Sequence, residues 1–176
     1  IMYFENFPLI PYDSVGNGEF KLVTNLLKRV AVRSKVKTNV MIFDTYDVKE
    51  GETPEIIADK LYDDPELHWI VLLFNDVTDR YHQWPMNNNQ FLSYMHDKYT
   101  DQDATHHYEI SQVSGDTTIK INIGSDNTDH SGATAITNYE YEETLQDELR
   151  QIRLLDPRYI SPFVAEYKKL MSESML

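Results

Sequence analysis

The 176-residue sequence contains no cysteine, which excludes a disulfide scaffold, a thiol nucleophile and a thiolate metal site. With 6 glycines and 7 prolines it is neither collagenous nor of low complexity. Its longest apolar run, Trp69 to Phe74, has six residues, far short of the roughly 20 that span a bilayer. The first residues show no basic stretch followed by an apolar one, so no secretory leader is expected. Positive charge is also scarce. Sixteen bases against 29 acids leave a formal charge of −13, which argues against a nucleic-acid or anionic-membrane partner. Motifs of catalysis are missing as well: there is no H-E-x-x-H, P-loop, G-x-S-x-G or dinucleotide fingerprint. The 6 histidines are scattered. His106 and His107, read as part of a strand, should point to opposite faces. His82, His96, Asp101 and Asp103 read as solvated polar residues, and Asp126-x-x-Asp129 lacks the alternation of a calcium loop. The expectation is a protein without catalytic residues, metal or cofactor. At this length one domain with appendages is expected.

What the sequence does contain is uneven. Residues 1–40 carry six bases and three acids, residues 41–140 five bases and nineteen acids, and the remainder five and seven. A basic stretch with Arg29, Arg33 and Lys35 therefore precedes an acidic body, and it suits either that body or a neighbouring subunit of similar surface. Aromatic residues are plentiful, with 12 tyrosines, 7 phenylalanines and 2 tryptophans. Trp69 reads as core. Tyr3, Phe4, Phe7 and Tyr12 lie among isolated prolines with no period of 2 or 3.6, so they and the C-terminal Phe163 and Tyr167 read as partner-facing anchors.

Residues Phe20 to Val32 space Leu22, Val23, Leu26, Leu27 and Val30 as one helical face, and Val30 to Ile42 then alternates as an extended stretch. Met41 to Lys49 is a strand, ended by Glu50-Gly51-Glu52. Two helix starts of one design follow, Thr53-Pro54 and Asp64-Pro65, each a cap acceptor with proline at the first helical position. The first helix should bury Ile57, Ala58 and Leu61, with Tyr62 at its edge. The second should bury Leu67, Ile70, Val71 and Phe74 and stop at Asn75-Asp76, before a return strand. Asn87 to Asn89 can cap a helix carrying Phe91, Leu92, Met95 and Tyr99. His106 to Val113 and Thr117 to Ile123 read as a hairpin around Ser114-Gly115-Asp116, and residues 124–136 as a surface loop. Tyr141, Leu145, Leu149 and Ile152 share the face of a helix that Asp156-Pro157 interrupts. Ser161-Pro162 then caps a last helix with Phe163, Tyr167 and Leu170 on one face. The segments are an arm with a basic piece (1–40), a central module (41–80), a helix with a hairpin and loop (81–138) and C-terminal helices (139–176).

The central module resembles a LysM motif, the βααβ unit that binds N-acetylglucosamine polymers, through Tyr46, Val48, Gly51, Thr53, Ile57, Ala58, Tyr62, Trp69, Ile70 and Asn75. The chain as a whole resembles the T4-type phage baseplate wedge proteins that carry a LysM-like domain. That resemblance rests on the aromatic N-terminus, Asp64-Pro65-Glu66-Leu67-His68-Trp69 ahead of Asn75-Asp76, the Trp84 segment, and Leu149-Arg150-Gln151-Ile152-Arg153 followed by Phe163. It implies an α+β fold: a LysM-like βααβ core with an extended aromatic arm, a small β-hairpin insertion and C-terminal helices. It also implies a structural subunit of the tail baseplate in the virion, assembled in the host cytoplasm. Such a subunit would contact wedge scaffold subunits, the sheath-initiator subunit and neighbouring wedges around the tail tube. The alternative is a glycan-binding LysM module beside a lytic tail protein, using the loops at Gly51 to Pro54 and Asn75 to Val77.

Overall fold

The computed structural model describes residues 3–115 and 118–173. In chain order these form β1 (Leu9–Tyr12), β2 (Lys21–Thr24), the one-turn α1 (Ser34–Lys37), β3 (Phe43–Asp47), α2 (Pro54–Tyr62), α3 (His68–Phe74) and the one-turn α4 (Arg80–Gln83). They continue with α5 (Asn88–Lys98), β4 (Thr105–Ser111), β5 (Lys120–Gly124), β6 (Thr134–Thr137), α6 (Asn138–Arg150), β7 (Gln151–Leu155) and α7 (Ile160–Glu173). Tight 3₁₀ turns occupy Tyr3–Asn6, Val40–Ile42, Pro65–Leu67 and Pro157–Tyr159. The fold is mixed α and β, with small sheets. No helix among the described residues is long and apolar enough to cross a membrane.

Side-chain caps start the principal helices. The Thr53 hydroxyl accepts from the Ile56 N–H with Pro54 behind it. Asp64 accepts from the Glu66 N–H with Pro65 next, opening a 3₁₀ turn that runs into α3. Between them Asp63 takes φ 54°, the left-handed residue that ends α2. Asn87 with Gln90, and Thr137 with Glu140, form reciprocal capping boxes at α5 and α6.

The chain divides into two compact units, residues 1–83 with 152–176 and residues 84–151. In the first unit α2 buries Ile57 and Ala58, α3 buries Trp69, Ile70, Val71 and Phe74, and Leu67 lies under the turn between them. The strand that pairs with β3 is β7. This corrects two expectations. Residues after Asn75 supply no return strand: they make α4, where the Gln83 amide oxygen accepts from the Thr78 and Asp79 N–H groups. The helix expected to run through Ile152 ends at Arg150, because Ile152, Leu154 and Leu155 are buried in a strand beside β3. Asp156, not Ser161, caps the next turn, so α7 begins before Pro162 and buries Val164, Tyr167 and Met171, with Leu170 exposed.

The expected helix over 20–32 is also absent. Asp13 closes a turn instead, its carboxylate accepting from the N–H groups of Val15, Gly16 and Gly18 at 3.1, 2.7 and 2.7 Å. Gly16 and Gly18 take φ of 76° and 82°, which L side chains resist. The turn sets β2 antiparallel to β1, from Leu9 opposite Thr24 to Tyr12 opposite Lys21. The helical spacing of the leucines had no wall to pack against, and the backbone pairing prevailed. The extended stretch expected next is interrupted by α1 and the Val40–Ile42 turn, so the central strand starts at Phe43 rather than Met41.

The second unit holds a three-stranded sheet in the order β5, β4, β6. β4 and β5 form the expected hairpin, with Gly115 at φ 83°; Asp116 of the expected turn and Thr117, the expected start of the second strand, lie outside the described residues. The expected surface loop instead runs into a strand: β6 pairs antiparallel with β4, from Thr105 opposite Thr137 to Glu109 opposite Thr134. Trp84, Phe91 and Met95 are buried here.

Candidate interaction surface

Trp69 is the centre of an aromatic cluster in the first unit. Tyr167 lies 4.6 Å from it between ring centroids, Tyr3 5.4 Å and Phe163 6.0 Å. Tyr3 also stacks on Tyr167 and meets Phe7 edge-on at 5.1 Å. Phe7 and Tyr167 are buried, and burial pushes the Tyr167 hydroxyl well above its ordinary range. Four of the six aromatics expected to face a partner, Tyr3, Phe7, Phe163 and Tyr167, therefore pack on the chain's own core. The 3₁₀ turn at Tyr3–Asn6 delivers the first two, a device with neither strand nor helix periodicity. Phe4 and Tyr12 stay exposed, at 61% and 55%.

Beyond this cluster the arm is uncovered. Both strands of the β1–β2 hairpin are mostly solvent-facing, and Leu9, Phe20, Leu22, Leu26 and Leu27 are exposed, Leu27 at 91%. A two-stranded hairpin is marginal in water by itself, and apolar exposure on this scale makes it a candidate interaction surface. The segment from Leu26 to Val32 then forms one wall of a groove of about 980 Å³. Tyr3, Phe7, Trp69, Leu72 and Leu73 line the rest of it. The Trp69 Nε1 is buried there with no acceptor among the described residues. The side chains of Arg29, Arg33 and Lys35 are exposed on the same segment and its continuation.

The expected glycan-facing loops are engaged internally. Glu52 is buried and accepts from Tyr46 Oη at 2.8 Å, from the Lys49 N–H at 3.0 Å and from the Lys60 ammonium. Burial would raise its pKa; the hydrogen bonds from Lys60, Lys49 and Tyr46 outweigh that and hold it below the usual carboxylate value. Gly51, at φ 74°, makes the turn that lets Glu52 fold back. Asn75, expected to stop a helix and to open the second sugar loop, joins elements far apart in sequence. Its Nδ2 donates to the carbonyls of Val71 and Arg153, both at 2.8 Å, and its Oδ1 accepts from the Arg153 N–H at 2.9 Å. Tyr62 Oη donates to the Leu155 carbonyl at 3.1 Å. Pro54, Ile57, Ala58 and Ile70 are buried, and Leu61 is partly covered.

In the second unit α6 buries Glu142, although Glu143 beside it is exposed. Tyr99 Oη and Lys98 Nζ donate to it at 2.7 Å each, and Tyr94 Oη at 3.2 Å. Burial opposes ionisation of Glu142, but Lys98 and Tyr99 hold its pKa below the ordinary value and raise that of Lys98 in return. His106 and His107 do not point to opposite faces. A bulge between Thr105 and His107 brings their Nδ1 atoms to 2.9 Å, with Glu109 on His107 Nε2 and Tyr141 stacked on His106 at 3.9 Å. The described residues contain no group of three side chains placed to hold a metal ion.

Two comparisons bear on this arrangement. Aligned over 185 positions, the chain is 24% identical to the baseplate wedge protein gp53 of Enterobacteria phage T4, covering 97% of this chain and 89% of that protein. A family model described as base plate wedge protein 53 matches residues 2–130, which include the hairpin, the groove and the helix pair. The chain belongs to the base plate wedge protein 53 family.

Proposed function

We propose that this protein is a non-enzymatic joining subunit of the contractile-tail baseplate wedge, located in the virion. It would contact wedge scaffold subunits, a sheath-initiator subunit and the neighbouring wedge around the tail tube. The observation that carries the reading is the β1–β2 hairpin with its following segment, an apolar and basic surface that the chain leaves uncovered. Complete burial of a leucine contributes about 1.5–3 kcal/mol, so several of them on one surface supply ample driving force for assembly. The body beneath fits a LysM-like core. β3, α2 and α3 follow in order, and β7 acts as the closing strand after residues 84–151 intervene. The glycan-binding alternative has less support, since Glu52 and Asn75 in the expected sugar loops bond within the chain.

The test is Leu22→Ser with Leu27→Ser. Circular dichroism of the isolated subunit should be unchanged. Its incorporation into wedges co-expressed with the scaffold and sheath-initiator subunits should fall at least roughly tenfold, about 1.4 kcal/mol. Undiminished incorporation would refute the reading, as would retention on peptidoglycan in place of wedge binding.

A further inference from the structure

Lys21, Arg29, Arg33 and Lys35 carry exposed side chains in a stretch, residues 21–37, that has six bases and no acid. In a chain with 29 acids an exposed cation would be expected to find a carboxylate. Lys37 does so with Asp76, Lys60 with Glu52 and Lys98 with Glu142. None of those four cations has an ion-pair partner among the described residues. Exposed Leu22 and Leu27 lie between Lys21 and Arg29, so the surface combines cations with apolar area. Its complement is acidic, with apolar contact area of its own.

The unit formed by residues 84–151 has those properties. It holds twelve acids and three bases. Glu143, Asp147 and Glu148 face outward along α6, while the edge strand β5 and its flank expose Ile119 and Ile121. One chain therefore carries both halves of a complementary pair, the four exposed cations of the arm and the exposed acids of α6, of which Asp147 also lies 3.9 Å from Arg150.

We propose that the basic, apolar arm surface of one copy docks on the acidic 84–151 unit of a second copy, in a head-to-tail contact. This rests on the reading of the arm as an assembly surface and names one partner for it. Two different patches meet, so the contact is heterologous and propagates from copy to copy, closing into a ring where the rotation allows. Complementary charge orients the encounter and excludes like-charged partners, and the apolar side chains supply the burial.

Sedimentation velocity of the full chain alone tests the proposal. Self-association should rise with concentration at low salt and weaken sharply near 1 M, where the Debye length is about 3 Å. Arg33→Glu with Lys35→Glu should weaken it at least roughly tenfold, and so should Glu143→Lys with Asp147→Lys. An equimolar mixture of the two variants should associate again, because the reversed arm meets the reversed helix. A wild-type chain that stays monomeric at every salt overturns the proposal without requiring any variant to fold. Loss in both variants without recovery in the mixture also overturns it. If the chain alone is monomeric yet the arm variant drops out of wedges, the second copy is the wrong partner and the assembly reading stands. If the arm variant is neutral in both assays, both readings fail.

Discussion

Asn75 performs with one side chain what a strand neighbour would do with its backbone. Its amide gives and takes a hydrogen bond at Arg153 and donates a third to Val71, so it links the end of α3 to β7 across 78 residues of sequence. Asn75→Ala removes all three. Each is worth about 0.5–1.5 kcal/mol net, and the two at Arg153 are open enough for water to replace part of the loss. A total near 2 kcal/mol follows, about 8 °C in the melting midpoint of a unit of this size. Asn75→Asp is the sharper probe. Its carboxylate keeps the acceptor for the Arg153 N–H but faces two carbonyls without a proton to donate, and it puts negative charge at the end of α3. It should cost at least as much at neutral pH and recover part of the loss below about pH 4, where the carboxyl is protonated. Thermal denaturation, with hydrogen exchange at the Arg153 amide, reads both effects. An unchanged midpoint and unchanged Arg153 protection in Asn75→Ala would refute the reasoning.

In the second unit, Glu142 has a folded pKa held below its ordinary value of 4.5. The stability it contributes is therefore complete above that value and lost as pH falls through the folded one, and Glu142→Gln should flatten that acid loss in denaturant titrations. Lys98→Met, which leaves the buried carboxylate without its cation, should cost about 3 kcal/mol at neutral pH in the same assay. Deleting Thr134 to Ile136 should destabilise this unit strongly in a thermal melt, because it removes the strand paired with His107 to Glu109. At the N-terminus, Phe7→Ala should lower stability by about 3 kcal/mol, while exposed Phe4→Ser should stay within about 0.5 kcal/mol; equal melting points for the two would refute the aromatic-core assignment.

Local chemistry was legible in the sequence and distant pairing was not. Thr53, Pro54, Asp64, Pro65 and Asn87 act within a few residues of themselves, so their spacing alone announced the helix starts. The buried faces of α2 and α3 were equally plain from their period. β7 was not, because Gln151 to Leu155 continues the apolar spacing of α6 and only the presence of β3 makes it a strand. β6 is short and polar, and its identity depends on β4. The burial of Glu142 and the bridging role of Asn75 depend on partners 44 and 78 residues away, which no local pattern shows. The basic stretch was visible, but which aromatics would stay exposed was decided by Trp69.

The N-terminal arm thus divides into two parts with different physical tasks. Tyr3 and Phe7 lie against Trp69 and Tyr167, and their burial helps to stabilise the isolated subunit. From Leu9 to Leu27 the apolar groups gain little from the chain itself, and the hairpin is held by backbone pairing and by the Asp13 carboxylate at its turn. A surface of that kind is favoured only when an assembly supplies its cover, since the leucines otherwise remain in water. The division also guards against premature loss of the arm. The aromatic end keeps the hairpin tethered at the rim of the groove before any partner arrives, so ordering the contact costs less conformational entropy than capture by a free tail would. On the proposed function, docking would draw on apolar burial and charge, while the fold beneath rests on Trp69, Asn75 and Glu52, none of which would have to change.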